Sequence, residues 1–233
     1  MYDGISKFYD SFMVDTDYDG WLDFCKDKIG DSGIDVGCGS GEFTIRLANL
    51  NKKVLGIDPS PQMLAFAQEK AKKAGTNANF ALMSAQDFTV AKKVDFITAI
   101  CDVVNYLKNP EKFFSRAKNA LKDNGVLIFD ISTEYKLKNV LGSNTFSDET
   151  DSVIYLWNNN LSTNYVDMQL YFFEKGSDGR YTKYTETQRQ YIHSIDKITD
   201  LLIKSGFTSV DVYSEKFSKK IKKDEMRVFF VAH

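Results

Sequence analysis

Residues 30–131 alternate short apolar runs with segments of helical spacing, and this alternation constrains the fold more than any other feature. Apolar runs without a polar–apolar alternation are typical of strands covered on both faces, as in parallel sheets. A helical segment between two such runs then forms the crossover of a βαβ unit. The sequence therefore predicts a doubly wound α/β fold, with helices on both faces of a mostly parallel sheet.

This first part of the chain contains five predicted strands and three predicted helices. The strands cover 33–36, 54–57, 80–83, 94–100 and 126–131, and the helices cover 43–50, 62–73 and 111–121. Pro61 and Pro110 stand where helices begin, because proline is tolerated in the first turn of a helix. Gly125 is interpreted as the stop of the third helix, ahead of the fifth strand.

The pattern changes after the fifth strand. From about 152 to 192 the chain is strand-like and polar, and turn clusters at 158–160 and 176–179 predict three antiparallel strands joined by hairpins. A helix at 195–204 and two strands at 209–213 and 228–232 follow. The predicted core is thus a seven-stranded Rossmann-like sheet that carries a small antiparallel β insertion.

Composition limits the class of protein. A chain of 233 residues with 43% hydrophobic and 27% charged residues can bury one large core. The net charge of −2 argues against a nucleic-acid partner held by broad phosphate neutralisation. No apolar run has the length of a membrane span, so we expect a cytoplasmic protein without a membrane partner. Cys25, Cys38 and Cys101 are too widely spaced for a disulfide framework or a paired metal site, and no metal is predicted.

The sharpest local feature is the sequence IDVGCGSGEF, between the first strand and the first helix. Gly37, Gly39 and Gly41 let the backbone turn tightly and approach a ligand, and such sheets bind ligands beyond the carboxyl ends of their strands. A dinucleotide fingerprint would need a third glycine at position 42, which is Glu42. The two carboxylates of Asp35 and Glu42 would repel the negative charge of a pyrophosphate, whereas they would attract a cationic or zwitterionic ligand. A nicotinamide oxidoreductase is therefore the weaker alternative.

Two further acidic residues follow strands. Asp58 ends the second strand 21 residues after Gly37, and an acid at this offset accepts hydrogen bonds from ribose hydroxyls. A helix cap is the alternative role for Asp58. Asp87 follows the third strand, where its carboxylate can accept from an adenine amino group while Phe88 or Met63 packs on the ring. An ordinary strand-end turn explains Asp87 equally well.

Together these features resemble the class I S-adenosylmethionine-dependent methyltransferases, over nearly the whole chain. Asp35 and the three glycines are similar to the first motif of that family, Asp58 to its ribose acid and Asp87 to its adenine contact. The late hairpin also fits, because the family closes its sheet with an antiparallel last strand. Within the family, the chain is most similar to bacterial small-molecule methyltransferases with a β insertion.

The resemblance implies a cofactor, S-adenosyl-L-methionine, with S-adenosyl-L-homocysteine as its product. It also implies that the backbone at Gly37 and Cys101 and the side chain of Asp35 hold the amino acid end of the cofactor. The candidate cofactor-binding residues are Tyr18, Asp35, Gly37, Cys38, Gly39, Gly41, Asp58, Pro59, Met63, Gln86, Asp87, Phe88 and Cys101.

Methyl transfer from a sulfonium is an in-line displacement that needs alignment and exclusion of water, whereas a general base is optional. The candidate catalytic residues are Asp102 and Tyr106 after the fourth strand, Tyr9 near the N-terminus, and His193, for which a surface position is the alternative. No Asp-Pro-Pro-Tyr or Asn-Pro-Pro-Tyr sequence occurs, which disfavours methylation of a DNA base. The expected acceptor is an N or O nucleophile of a small molecule. An RNA or protein methyltransferase, or a regulator that binds the cofactor without transfer, is the alternative, and no oligomeric state is specified.

The predicted domain organisation has three parts: an N-terminal helical lid at 1–29, a cofactor-binding core at 30–150 and 194–233, and a β insertion at 151–193 that caps the substrate. Half of the 32 aromatic residues lie in 1–24 and 155–191, outside the core strands. Aromatic walls with polar tips suit a pocket that excludes water. We therefore expect the acceptor between the N-terminal segment and the β insertion.

Overall fold

The computed structural model describes residues 8, 13, 16–150 and 152–233. Seven strands form one sheet: β1 (Ser32–Val36), β2 (Lys53–Asp58), β3 (Asn79–Leu82), β4 (Val94–Ala99), β5 (Leu121–Ser132), β10 (Val210–Ser214) and β11 (Arg227–Ala232). Four strands form another: β6 (Thr145–Glu149), β7 (Val153–Leu161), β8 (Tyr165–Lys175) and β9 (Tyr181–Tyr191).

The described helices are α1 (Tyr18–Lys26), α2 (Glu42–Asn49), α3 (Pro61–Lys73), α4 (Glu111–Ala120) and α5 (Ile195–Lys204). A 3-10 turn at Val103–Tyr106 and a π-helical segment at Lys136–Leu141 complete the regular structure of these residues. Within the part of the chain that the structure describes, no helix is long and apolar enough to cross a membrane.

The order of the large sheet is β10-β11-β5-β4-β1-β2-β3, which confirms the predicted fold class. The strands from β1 to β5 pair in parallel, and β11 runs antiparallel to both of its neighbours. Because β1 lies between β2 and β4, the chain changes direction across the sheet at β1. Ligands of such sheets bind at this switch point, beyond the carboxyl ends of the two strands.

Both faces of the large sheet are covered, because alternate residues of β5 enter two different clusters of buried side chains. Phe129 belongs to the cluster beneath α4 and α5, where its ring stacks on Phe230 with centroids 4.8 Å apart. Ile128 belongs to the cluster that contains Trp21 and Phe24 of α1. Burial on both faces is the physical reason that these strands are apolar throughout.

Helix boundaries follow the predicted signals, with one exception. Pro61 is the first residue of α3, and the hydroxyl of the preceding Ser60 accepts a hydrogen bond from Met63 N at 3.3 Å. The prediction that Gly125 stops a helix is wrong. The helix α4 ends at Ala120, and Gly125 lies within β5, where the pairing with β4 shifts register.

The β insertion has four strands rather than the three expected. The additional strand, β6, pairs with β7 at the edge of the small sheet and starts ahead of the expected boundary at residue 151. Sequence reasoning missed β6 because Thr145–Glu149 is short and Phe146 is its one apolar residue. A single apolar residue gives no period-2 pattern to detect.

The small sheet is fastened to the large one through side chains of the loop after β4. Asn105 Nδ2 donates to the carbonyls of Ser132 (3.1 Å) and Tyr191 (3.0 Å), and Tyr106 OH donates to Gln188 Oε1 at 3.0 Å. These contacts join β9 to the switch point. The small sheet therefore has a defined position next to the carboxyl ends of the core strands.

Candidate active site

The glycine-rich loop after β1 turns back onto β2. Gly37 N and Cys38 N both donate to the carbonyl of Ile57, at 2.8 and 3.0 Å, and Gly41 N donates to Cys38 O at 2.9 Å. The φ angles of Gly37, Gly39 and Gly41 are +67°, +52° and +84°, a region that glycine adopts at little cost. A Cβ on Gly37 would also lie 2.6 Å from Val103 Cγ2. Glycine is therefore required at position 37 for two independent reasons.

Asp35, at the end of β1, is buried beneath this loop. Its two carboxylate oxygens accept hydrogen bonds from the hydroxyls of Thr44 (2.6 Å) and Thr98 (2.7 Å). Burial raises the pKa of Asp35 to about 6, and the two hydroxyls oppose that shift. Asp35 lines a cavity of about 20 Å³ together with the loop, Tyr18 and Cys101.

Asp58, at the end of β2, joins the loop to the next segment of chain. Its carboxylate accepts from Gly39 N at 3.0 Å and from Ser60 N at 2.8 Å. Burial raises the pKa of Asp58, and these two amides oppose that effect. Pro59, the next residue, lines a second cavity of about 420 Å³. Asp58 thus stands between a cavity at the glycine loop and a larger one beyond β3.

The larger cavity contains two of the predicted residues and three that sequence reasoning missed. It is lined by Pro59, Leu82, Met83, Ser84 and Asp87. Asp87 is exposed and accepts from Ser84 Oγ (2.9 Å) and Lys112 Nζ (2.8 Å), and these contacts lower its pKa. The sequence signal for the missed residues is their position at the carboxyl end of the third strand, where ligands of such sheets bind.

Phe88 does not line this cavity, so its predicted role as a ring platform is not supported. Its side chain is 2% exposed and packs in the core against Phe113, with ring centroids 6.4 Å apart. Met63 is also buried, at 1% exposure, and Gln86 is half-buried. Nothing in the local sequence distinguishes an apolar residue of the core from one that lines a ligand cavity.

The loop after β4 has an unusual backbone that one buried carboxylate holds in place. Cys101 and Asp102 have φ angles of +70° and +54°, which typically cost non-glycine residues about 1–3 kcal/mol each. Their amides donate to the two oxygens of Asp130, at 2.7 and 3.0 Å. Asp130 is fully buried and forms an ion pair with Arg227. Strained backbone that its surroundings hold in place is typical of functional sites.

A third cavity, which we call the acceptor cavity, lies between this loop and the small sheet and has a volume of about 320 Å³. Strands β7 and β8 supply mostly apolar side chains, and the core and β9 supply mostly polar ones. The lining residues are Met13, Thr16, Cys101, Asp102, Tyr106, Lys136, Leu141, Tyr155, Trp157, Met168, Leu170, Phe172, Gln188, Gln190 and Arg227. Cys101 lines both this cavity and the one at the glycine loop, so the two spaces meet at Cys101.

Asp102 belongs to a buried charge cluster at the floor of the acceptor cavity. Arg227 Nη1 lies 2.6 Å from Asp102 Oδ1, and Gln190 Nε2 donates to Asp102 Oδ2 at 2.9 Å. Burial acts to raise the pKa of Asp102, but Arg227, Lys136 and Gln190 together hold it below its ordinary value. Asp102 is therefore a carboxylate near neutral pH, suited to accepting a hydrogen bond rather than to removing a proton.

The other candidate catalytic residues have different positions. Tyr106 is half-buried in the wall of the acceptor cavity, and Tyr9 lies outside the described residues. His193 is neither at the surface nor in this cavity. It is 2% exposed, its Nε2 lies 3.0 Å from the carbonyl of Leu107, and it lines a separate cavity with Thr133. Burial lowers its pKa.

Sequence reasoning missed Asp130, Gln190 and Arg227. They meet at Asp102 from strands β5, β9 and β11, and the ion-pair partners Asp102 and Arg227 are 125 positions apart along the chain (227 − 102). One signal was available: Asp130 interrupts the apolar run of β5, and a charge in a buried strand requires a partner.

The geometry fits a nucleoside-bearing cofactor with a cationic amino acid end. The cavity of about 420 Å³ has room for an adenine ring, Asp58 lies between this cavity and the glycine loop, and Asp35 is an acidic group buried beneath that loop. The cavity at the glycine loop has a volume of only about 20 Å³. The amino acid end of the cofactor therefore requires the lining side chains to move apart before it can enter. This fold and site define a Rossmann-like protein with a ligand site at the switch point of its sheet.

Comparison with known proteins identifies the activity. A family model described as a methyltransferase domain matches residues 27–167. A putative methyltransferase of Geobacillus sp. (strain WCH70) is 32% identical, with 99% of this chain and 98% of the relative covered. This chain belongs to the methyltransferase domain family.

Two solved structures are similar over nearly the whole chain. An S-adenosylmethionine-dependent methyltransferase from Clostridium acetobutylicum ATCC 824 has a TM-score of 0.89 and 29% identity, with 99% of this chain and 98% of that chain covered. CalS10, an amino pentose methyltransferase from Micromonospora echinaspora solved with S-adenosylmethionine bound, has a TM-score of 0.76 and 13% identity, covering 100% and 98%. The cofactor of this enzyme is S-adenosylmethionine.

Replacing Gly37 by alanine is expected to abolish measurable binding of S-adenosylhomocysteine, because the new Cβ meets Val103 and the φ of +67° is strained. Gly75→Ala is the matched control, since Gly75 has a φ of +65° but no atom within 4 Å of the added Cβ. Calorimetric titration of both variants measures this. Equal affinity in both variants would contradict the required close approach at Gly37.

Affinity for S-adenosylhomocysteine is expected to fall as the pH drops below about 6, where Asp35 takes up a proton. An ammonium group binds the ionised form of Asp35 better because their charges are opposite. Binding therefore weakens by up to about tenfold per pH unit below the pKa of Asp35. Titrations between pH 5 and 8 measure the effect, and Asp35→Asn is expected to flatten the profile. If the pH profile of Asp35→Asn is as steep as that of the native chain, Asp35 is not the group that causes the pH dependence. Asp23→Asn, at an exposed position, serves as the control.

Asp58→Ala is expected to weaken S-adenosylhomocysteine binding by about 10- to 100-fold, since charge-assisted hydrogen bonds contribute about 1.5–3 kcal/mol. The variant loses both the ribose acceptor and the anchor of Gly39. Calorimetry at pH 7.5 tests this, with Asp123→Ala at an exposed position of β5 as the control. Unchanged affinity would remove Asp58 from the cofactor site.

Proposed function

We propose that this enzyme transfers the methyl group of S-adenosylmethionine to an N or O nucleophile of a small molecule bound in the acceptor cavity. The observation that carries this proposal is Cys101, which lines both the glycine-loop cavity and the acceptor cavity. A volume of about 320 Å³ suits a small molecule, since ligand pockets typically span about 300–1,000 Å³. The small sheet would then act as the substrate cap and α1 as part of a lid.

When bound, S-adenosylmethionine supplies a methyl group on a positively charged sulfur, which leaves with the bonding electrons as S-adenosylhomocysteine. The chain aligns the nucleophile so that its lone pair forms the new bond to the methyl carbon. Asp130 contributes by fixing the backbone of Cys101 and Asp102. Asp102 accepts a hydrogen bond from the N–H or O–H of the acceptor and so orients it. The proton that the acceptor loses passes to solvent, because a carboxylate with a low pKa is a weak base.

Nitrogen is the favoured nucleophile. A neutral amine attacks without prior loss of a proton, whereas a hydroxyl needs a base with a pKa near the working pH. Among the described residues that line the acceptor cavity there is no histidine, and the pKa of Asp102 is held low. The amino pentose named for CalS10 is in keeping with an amine acceptor.

A cytoplasmic location is part of this proposal. All three cysteines are free thiols, as is usual in a reducing compartment.

The test uses S-adenosylmethionine with a labelled methyl group, incubated with the enzyme and cell extract and then separated by size. Label in the low-mass fraction supports a small-molecule acceptor, and label on RNA or protein contradicts it. Cofactor binding without any label transfer would favour the alternative of a regulator.

Filling the acceptor cavity is expected to stop transfer while the cofactor still binds. Leu170→Trp places an indole in the cavity and should lower methyl transfer at least tenfold, with S-adenosylhomocysteine affinity within about twofold of the native value. Gln169→Trp is the matched control, because the adjacent residue of β8 points to the opposite, exposed face. Full transfer activity of Leu170→Trp would place the acceptor elsewhere.

A further inference from the structure

Two strands of the small sheet contain apolar runs in which apolar and polar residues do not alternate. Residues 153–157 of β7 have the sequence VIYLW, and residues 170–173 of β8 have the sequence LYFF. An antiparallel strand with one face in water alternates apolar and polar residues, whereas a continuous apolar run is typical of a strand covered on both faces. The two runs therefore indicate that this part of the small sheet is covered on each side.

One face of the small sheet, which we call the inner face, packs over the acceptor cavity. The residues of the two runs that line this cavity are Tyr155 and Trp157 of β7 and Leu170 and Phe172 of β8. Successive side chains of a strand point to opposite faces, so the intervening members of the runs lie on the other, outer face. These are Ile154, Leu156, Tyr171 and Phe173.

The four outer side chains form one contiguous surface, which we call the outer patch. The strand register places Ile154 opposite Phe173 and Leu156 opposite Tyr171. Each of them is half-buried, and none joins the clusters of buried apolar side chains that the described residues form. Contiguous apolar surface on the outside of a folded chain is typical of an interaction site.

Two charged residues flank the outer patch on opposite sides. Glu149 of β6 lies opposite Ile154, at one side of the patch. Lys183 of β9 lies opposite Phe173, at the other side. Both charged side chains are exposed, and within the described part of the chain neither forms an ion pair, although Lys183 Nζ lies 4.6 Å from the ring centroid of Tyr171. The row across the sheet is therefore acidic, apolar, apolar and basic.

This row is complementary to itself when a second copy of the chain is turned about an axis parallel to the strands. Such a two-fold axis reverses the order of the row, so Glu149 of each copy meets Lys183 of the other. The apolar centre of one patch meets the apolar centre of the second. An interface with C2 symmetry requires exactly this kind of self-complementary surface, and sheets that pack face to face keep their strands nearly aligned.

The outer face has the size that a dimer needs. Four strands about 4.8 Å apart give a width of about 19 Å, and nine residues of a strand give a length of about 30 Å. Each copy would thus contribute roughly 500 Å², and the pair roughly 1,000 Å², which is the lower limit for a specific interface. We therefore expect an association that depends on concentration.

We propose that the outer face of the small sheet is the interface of a homodimer, in which Glu149 and Lys183 form reciprocal ion pairs around a central outer patch. The strands β7 and β8 would then be covered on both faces, by the acceptor cavity on one side and by the second copy on the other. This inference does not depend on the proposed function, since it concerns the opposite face of the sheet.

Analytical ultracentrifugation of the full chain, between about 1 and 100 μM, tests the proposal. The mass is expected to rise with concentration from 26.5 kDa toward twice that value. Glu149→Lys and Lys183→Glu are each expected to raise the Kd of the dimer at least tenfold, because symmetry turns two attractive contacts into repulsive ones. The double variant restores both pairs with reversed signs, and its Kd should return to within about threefold of the native value.

Two further variants complete the test. Phe173→Asp places a carboxylate in the apolar centre of the interface and should leave the chain monomeric at every concentration. Lys72→Glu makes the same change of charge as Lys183→Glu at an exposed position of α3, and should leave the Kd unchanged. Thermal melting followed by circular dichroism checks that each variant is folded.

Three results would overturn the proposal. The first is a native chain that is monomeric at every concentration, in which case the outer face is covered by a different protein or by another segment of this chain. The second is a dimer that survives Phe173→Asp, since the chain would then associate through another surface. The third is a double variant that dimerises no better than the single charge reversals, because Glu149 and Lys183 would then not be partners.

Discussion

The buried carboxylate of Asp130 is the contact on which the active site depends. It accepts the amides of Cys101 and Asp102, whose backbone would otherwise be unfavourable, and it pairs with Arg227 of the last strand. A charge buried without partners would cost several kcal/mol, so this arrangement requires all of its members at once. The antiparallel last strand thus has a chemical role, because it delivers the guanidinium of Arg227, which opposes the rise that burial causes in the pKa of Asp130.

From this contact the site extends in two directions. On one side, Cys101 reaches the glycine loop, where Asp35 and Asp58 stand beneath and beside the backbone turn. On the other side, Asp102 bonds Gln190 of β9, which brings the small sheet over the acceptor cavity. The cofactor side is shaped by backbone and glycine, whereas the acceptor side is shaped by side chains.

The core sheet and the cofactor loop were predictable because their signals are local. Strands buried on both faces must be apolar, and a turn with three positive φ angles needs glycines at 37, 39 and 41. Predictions failed where the same residue type is compatible with two different structural roles. Gly125 lies within β5, where the pairing with β4 shifts register, rather than at a helix end, and Phe88 packs in the core against Phe113. Strand β6 was missed because a short edge strand needs almost no apolar surface.

The sequence by itself determined the doubly wound sheet, the glycine loop and the acid at the end of β2, since each depends on residues that are close together along the chain. The tertiary structure alone decided how the acceptor side is built. Asp102, Asp130, Gln190 and Arg227 come from distant segments, and only the sheet topology brings their charges within hydrogen-bonding distance. The lowered pKa of Asp102 follows from that assembly. Spacing along the chain carries no information about such a cluster, because its energy depends on separation in space and on burial.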